Sequence, residues 1–187
     1  DQASKQPFVI PVTLGLLSRD GQALPLQLAG SADALPQQTL VLTEASASYT
    51  FVNIDSEPVP SLLRGFSAPV VLQDGLSTAD LLCLLAHDSD PFNQWEAGQR
   101  LMLQSAVQAL AQADAAGPVL SDELLTALRN VLRHPGLDAA FKDLALTLPS
   151  ENYIADQLSV VDPQRVHTVR EAMRLQLATA LQADWQW

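Results

Sequence analysis

Hydrophobic positions change period once along this chain. From Phe8 to Leu72 they alternate or run in short apolar blocks, and from Ser77 onward they recur every three to four residues. Alternation puts successive side chains on opposite faces of a strand; the longer period lines them along one side of a helix. Phe8, Ile10, Val12, Leu14 and Leu16 share one face of a first strand over residues 8–17, with Val9, Pro11, Thr13, Gly15 and Leu17 on the other. Pro11 cannot donate to a ladder, which predicts an edge or a bulge there. Asp20-Gly21 is a hairpin signal, because glycine accepts positive φ without steric cost, and residues 23–28 return as the partner strand. Further strands are expected over residues 39–43, 47–54, 62–66 and 68–72. Six or so short strands between turn signals predict a small antiparallel, immunoglobulin-like β-sandwich over residues 1–76. The stretch from Glu57 to Val70, with Pro58, Pro60 and Pro69, is the proline-stiffened crossing between this half and the next.

Residues 77–187 read as a helical domain whose consecutive helices match either a bundle or the start of an α-solenoid. Ser77 is the expected N-cap of a first helix, with Asp80 three residues on; Leu81, Leu82, Leu84 and Leu85 make that helix apolar around most of its girth. Asp90-Pro91 opens a second helix running to about Ala113, since proline suits the first helical position. Ser121, Asp138 and Ser150 are the expected caps of three more, and Asp162-Pro163 repeats the cap-then-proline device before a last helix striped by Val166, Val169, Met173, Leu177 and Leu181. No fixed sequence period marks a strict repeat.

Composition narrows the partners. Lys+Arg number 10 against 21 Asp+Glu, a formal charge of −11, which argues against nucleic acid and against an anionic membrane surface. No apolar run approaches the ~18 residues that read as a membrane span. Hydrophobic residues make up 48% of the 187, enough for a core, but aromatics are only 5%, so that core must be built of Leu, Val and Ala. Cys83 stands alone, which rules out an internal disulfide and fits a reducing, cytoplasmic setting.

Candidate chemistry is sparse. Cys83 and His87 are four apart on one helix face, the spacing of a nucleophile and base, but a Leu-rich helix buries a thiol and keeps it inert. His87, His134 and His167 lie on different helices without metal-ligand spacing. Asp88, Asp90 and Asn93 lack the glycine and glutamate that a calcium loop needs. Asp55, Glu57 and Asp74 could form a carboxylate pair only if the fold brought them together. Arg165, Arg170 and Arg174, with Glu171, suggest a charge network on the last helix. No phosphate-binding, dinucleotide-binding or nucleophile-elbow motif occurs.

The order of segments carries more. Gln6-Pro7-Phe8-Val9-Ile10-Pro11, Asp20-Gly21, Phe51-Val52-Asn53, Pro58-Val59-Pro60-Ser61-Leu62-Leu63-Arg64 and Phe66-Ser67-Ala68-Pro69-Val70 resemble the β-sandwich of the bacterial aminopeptidase N family. His87-Asp88-Ser89-Asp90-Pro91-Phe92-Asn93-Gln94-Trp95-Glu96-Ala97, Leu148-Pro149-Ser150-Glu151, Val161-Asp162-Pro163 and Arg170-Glu171-Ala172 resemble the start of its C-terminal helical domain. The resemblance implies a zinc-dependent exopeptidase acting on the N-termini of peptides. In that family the zinc is held by H-E-x-x-H and a further Glu in a thermolysin-like domain, beside a G-A-M-E-N loop. Neither motif occurs in this chain, so no catalytic, cofactor-binding or metal-binding residue carries over. The expectation is an internal, non-catalytic fragment, partnered by the catalytic domain of the same parent chain. The missing initiating Met and the closing Trp185-Gln186-Trp187 fit that expectation, and self-association through the last helix would follow from it. Two other readings stay open: a free-standing protein-interaction module without enzymatic activity, and a cysteine enzyme using Cys83.

Overall fold

A computed structural model describes residues 7–112 and 117–184. They form two compact units, one through Asn93 and the other from Gln94.

The first unit is built on one strand. β1 (Ile10–Ser18) pairs antiparallel with β4 (Gln38–Leu42) from Ile10↔Leu42 to Leu14↔Gln38, and with β6 (Pro58–Leu62) from Leu14↔Leu62 to Ser18↔Pro58. β2 (Ala23–Leu24) closes the Asp20-Gly21 hairpin on β1 through Leu16↔Leu24 and Leu17↔Ala23. β3 (Gln27–Leu28) and β5 (Phe51–Val52) make a second, two-stranded sheet. Between the sheets Leu14, Leu16 and Leu26 are buried, ringed by Leu24, Leu40, Phe51, Ile54 and Leu62.

The prolines explain the pairing. Pro58 and Pro60 lie opposite Ser18 and Leu16, so the β1–β6 bonds fall to Leu17↔Val59 and Gly15↔Ser61, the alternate pairs of an antiparallel ladder. The N–H groups of odd-numbered β1 residues therefore point to the β6 side, as the Thr13 N–H does in donating to Ser67 Oγ at 2.9 Å. The ring nitrogen of Pro11 faces that same side, beyond the last β6 partner. The proline expected at an edge thus sits in the most heavily paired strand, on the half of its border that β6 leaves open.

Four expected strands differ. The single partner strand expected over residues 23–28 is broken at Pro25 into β2 and β3, which join different sheets. Residues 63–66 and 68–72 form none: the last strand is β6, which ends at Leu62 where Leu63 turns left-handed (φ 58°). Within residues 47–54 only Phe51–Val52 is paired, and Asn53 (φ 59°) ends it.

α1 (Thr78–His87) completes the unit. Ser77 accepts from the Asp80 N–H while Asp80 accepts from the Ser77 N–H, a full capping box, and Leu81, Cys83, Leu84 and Leu85 are buried. The second half of β1 is accordingly buried on both faces: Leu14 and Leu16 toward the sandwich, Leu17 on the face shared with Val59. α2 (Pro91–Ala111) begins in this unit with Asp90 as its cap, the Asn93 N–H donating to Asp90 Oδ1 at 2.9 Å.

The second unit holds the rest of α2, α3 (Asp122–Arg133), α4 (Ala139–Leu146), α5 (Glu151–Ala155) and α6 (Pro163–Ala180). Ser121, Asp138, Ser150 and Asp162 each accept a backbone N–H two or three residues on, at the expected caps. Ala113, the expected end of α2, and the terminal tryptophans lie outside the described residues. Met102, Leu120, Leu128, Ile154, Met173 and Leu181 are fully buried. Asp184, its side chain 4% exposed, takes ion pairs from Arg129 and Arg133, and Arg129 Nη2 also donates to Ala180 O. The Gln176 amide imitates a backbone group, accepting from the Val119 and Leu120 N–H and donating to Leu120 O. No helix among the described residues is long and apolar enough to cross a membrane.

Candidate functional site

A polar cluster lies on the face of β1 and β6 that carries Gly15 and Ser61. Arg64 follows β6 directly and its side chain folds back across β1. A Cβ on Gly15 would lie 2.3 Å from Arg64 Nη1, so only glycine leaves the guanidinium room there. Arg64 Nη2 donates to Asp88 Oδ1 at 3.2 Å and to Ser89 Oγ at 2.5 Å. The Arg64 side chain is 10% exposed and that of Asp88 0%.

The loop between α1 and α2 supplies the rest. Asp88 Oδ1 also accepts the Asp90 N–H at 2.9 Å, and Asp90 Oδ2 accepts the Gly65 N–H at 2.8 Å. Asn93, buried in the first turn of α2, donates from Nδ2 to Ser61 Oγ and to Leu62 O, both at 2.8 Å. Burial pushes the Asp88 carboxyl above the usual carboxylate range, against the opposing pull of Ser61, the Asp90 N–H and Arg64. Asp88 Oδ2 and Arg64 Nε are buried with no hydrogen-bond partner among the described residues. The cluster holds no histidine, and every polar contact described in it, from Asp88, Ser89, Asp90 and Asn93, goes to Ser61, Arg64 or nearby backbone; what these contacts do is hold backbone in place.

The other candidates are dispersed. Cys83 is buried, its Sγ donates to Ser18 O at 3.5 Å, and burial raises its thiol pKa. His87 is exposed one turn on, its ring lying over Gly21, where a Cβ would come within 2.2 Å of it. Cys83 is therefore expected to ignore a thiol reagent until the fold is denatured; stoichiometric labelling of the native protein would return the thiol to candidacy as a nucleophile. His134 Nδ1 accepts from the Gly136 N–H, and His167 Nδ1 meets Glu151 Oε1 at 2.8 Å on the surface. Glu57 pairs with Arg19, and Asp74 accepts the Leu76 N–H. Arg174 pairs with Glu171, whereas Arg165 and Arg170 bond backbone carbonyls of Gln112 and Pro149 instead of a charge network. Among the described residues no group of three or more His, Cys, Asp and Glu could hold a metal ion.

Sequence reasoning missed both polar anchors, Arg64–Asp88 and Asp184 with its arginines. The usable signal for the first was positional: an arginine directly after an apolar strand and an aspartate directly after an apolar helix.

In the second unit a groove of about 470 Å³ runs between the start of α3 and the outer side of α6, lined by Val119, Leu125, Ala172, Leu175, Gln176 and Thr179 among others. Gln176, its central polar group, is already engaged by Val119 and Leu120.

Two family models match the chain. Residues 1–75 match DUF3458, a domain of unknown function with an Ig-like fold, and residues 78–187 match DUF3458_C, a domain of unknown function described as ARM repeats. Aminopeptidase N of Escherichia coli (strain K12) is 36% identical over 182 residues, covering 97% of this chain and 21% of its own length. Aminopeptidase N of Haemophilus influenzae is 35% identical over 188 residues, covering 99% and 21%. The crystal structure of Legionella pneumophila aminopeptidase A in complex with aspartic acid superposes with a TM-score of 0.75 at 25% identity, covering 94% of this chain and 19% of that one. The chain thus spans about a fifth of the length of the curated relatives it matches.

Proposed function

We propose a function from one premise, that this chain belongs to the DUF3458_C family of ARM-repeat domains: it is the non-catalytic sandwich-and-helix region of a zinc-dependent aminopeptidase that removes N-terminal residues from peptides. The supporting observation is the match to aminopeptidase N over 97% of this chain and only 21% of that protein. In this reading residues 1–76 are the sandwich domain and residues 77–187 the helical one, counted as sequence modules and not by packing. The catalytic domain of the same parent chain is the partner, and the setting is cytoplasmic.

The residues here do not fit the zinc of such an enzyme. The three histidines occupy separate surroundings, the one thiol is buried, and H-E-x-x-H is absent from the sequence. No step of peptide hydrolysis is assigned to this chain. Its contribution is mechanical: the Arg64–Asp88 cluster and the capped helices hold backbone geometry for groups supplied elsewhere.

The test is an assay of the isolated chain with aminoacyl anilides and added zinc. No turnover is expected. Hydrolysis that vanishes on chelation would overturn the reading, because it would require a metal site within these residues.

A further inference from the structure

The turn after β6 is held in a conformation its residues disfavour. Leu63 (φ 58°), Gly65 (φ 63°) and Phe66 (φ 54°) are all left-handed, and two of the three are not glycine. A large side chain at positive φ is uncommon because its Cβ crowds the backbone. Such strain persists only where the surroundings over-determine it, and it gathers at switching elements.

Here the surroundings are residues 88–93. Gly65 N–H is held by Asp90, Arg64 by Asp88 and Ser89, and the Phe66 ring leans on Phe92 at 5.2 Å between centroids. Beyond the turn, Ser67 Oγ takes the Thr13 N–H. The same cluster contains the two buried atoms without partners, Arg64 Nε and Asp88 Oδ2. Backbone strain and unsatisfied polar atoms therefore coincide in one place, joined by hydrogen bonds that would break together.

We propose that residues 63–67 and 88–93 form a two-state latch. In the closed state, the one described, the α1–α2 loop holds the turn left-handed. In the open state the turn relaxes to ordinary φ, the Asp88–Arg64 pair enters water, and the first turn of α2 loses its hold on Ser61 and Leu62. Opening is sub-global: the β1–β6 ladder and the sandwich core remain intact. The element is local to the first unit and requires no ligand.

Native-state hydrogen exchange on the whole chain tests it. The N–H groups of Thr13, Gly65, Asp90 and Asn93 are expected to exchange as one group, at least tenfold faster than Leu17 and Val59 in the β1–β6 ladder. Asp88→Asn removes the ion pair and is expected to accelerate that group about tenfold further while leaving Leu17 and Val59 alone. Phe66→Gly removes the most exposed strained residue and is expected to slow the group several-fold, although it deletes the contact with Phe92. A site that was merely packed would respond to Phe66→Gly with faster exchange. Four unrelated exchange rates, exchange of all four only with the ladder, or acceleration by Phe66→Gly would each overturn the latch.

Discussion

Replacing Asp88 with alanine is expected to lower stability by about 3–5 kcal/mol, the usual cost of leaving one member of a buried ion pair without its partner. Arg64 would keep a guanidinium that is 10% exposed, with Ser89 Oγ as its remaining side-chain acceptor. The Asp90 N–H would lose its acceptor as well. Replacing both partners with apolar side chains, Arg64→Met with Asp88→Leu, is expected to be near neutral or stabilising by as much as about 4 kcal/mol, because neither charge then has to leave water. Urea denaturation of the two variants decides the matter. A double variant as unstable as Asp88→Ala would mean that the pair itself, and not the orphaned charge, carries the energy.

The pH dependence of the same site has a definite sign. Burial raises the Asp88 pKa in the folded state above its ordinary value. The folded protein then binds this proton more tightly than the unfolded chain does. The contribution of Asp88 to stability is fully present below its unfolded pKa and is lost as pH rises through the higher, folded pKa. Carboxylates such as Asp80 and Glu171, whose pKa values are lowered by Ser77 and Arg174 respectively, act in the opposite direction. The measurable quantity is therefore the difference between wild type and Asp88→Asn across an acid-to-neutral series. That difference should fall as pH rises; a difference that grows would reverse the assignment of desolvation as the dominant cause.

The helical half was the more legible because its boundaries are chemical. Ser77, Asp90, Ser121, Asp138, Ser150 and Asp162 each announce a helix start through a side chain that satisfies a nearby N–H, and all six do so in the structure. The sandwich was legible as a class but not in register. Pro58 and Pro60 disguise β6 as a crossing, since proline argues against a strand until its partner is known. Only the pairing with β1 shows that both prolines sit where no N–H is required. The buried cluster was illegible for a different reason. Arg64 and Asp88 are 24 residues apart, and neither is unusual until Gly15 is seen to leave room for the guanidinium. A left-handed leucine or phenylalanine has no sequence signature, because the environment imposes it against local preference.

In the second unit the largest single-residue effect is expected at Met173. α6 turns about 100° per residue, so Val166, Val169, Met173 and Leu177 fall within one narrow stripe. All four are buried, Met173 at 0% exposure, while Leu175, two residues on, points away and is 65% exposed. Met173→Ala removes side-chain volume from a site closed on every side, at an expected cost of about 2–5 kcal/mol depending on how far the neighbours collapse. Leu175→Ala removes a side chain of similar size from the groove wall and is expected to change stability by no more than about 0.5 kcal/mol. The contrast isolates position from hydrophobicity, since both residues are apolar and lie two residues apart on opposite sides of the helix. Urea midpoints read by helical circular dichroism, with m-values unchanged, provide the comparison. Equal losses at the two positions would place Leu175 in the core and refute the described phase of α6. A loss at Met173 alone fixes which side of the helix holds the unit together and leaves the uncharged outer stripe of Ala172, Leu175 and Thr179 unneeded for folding.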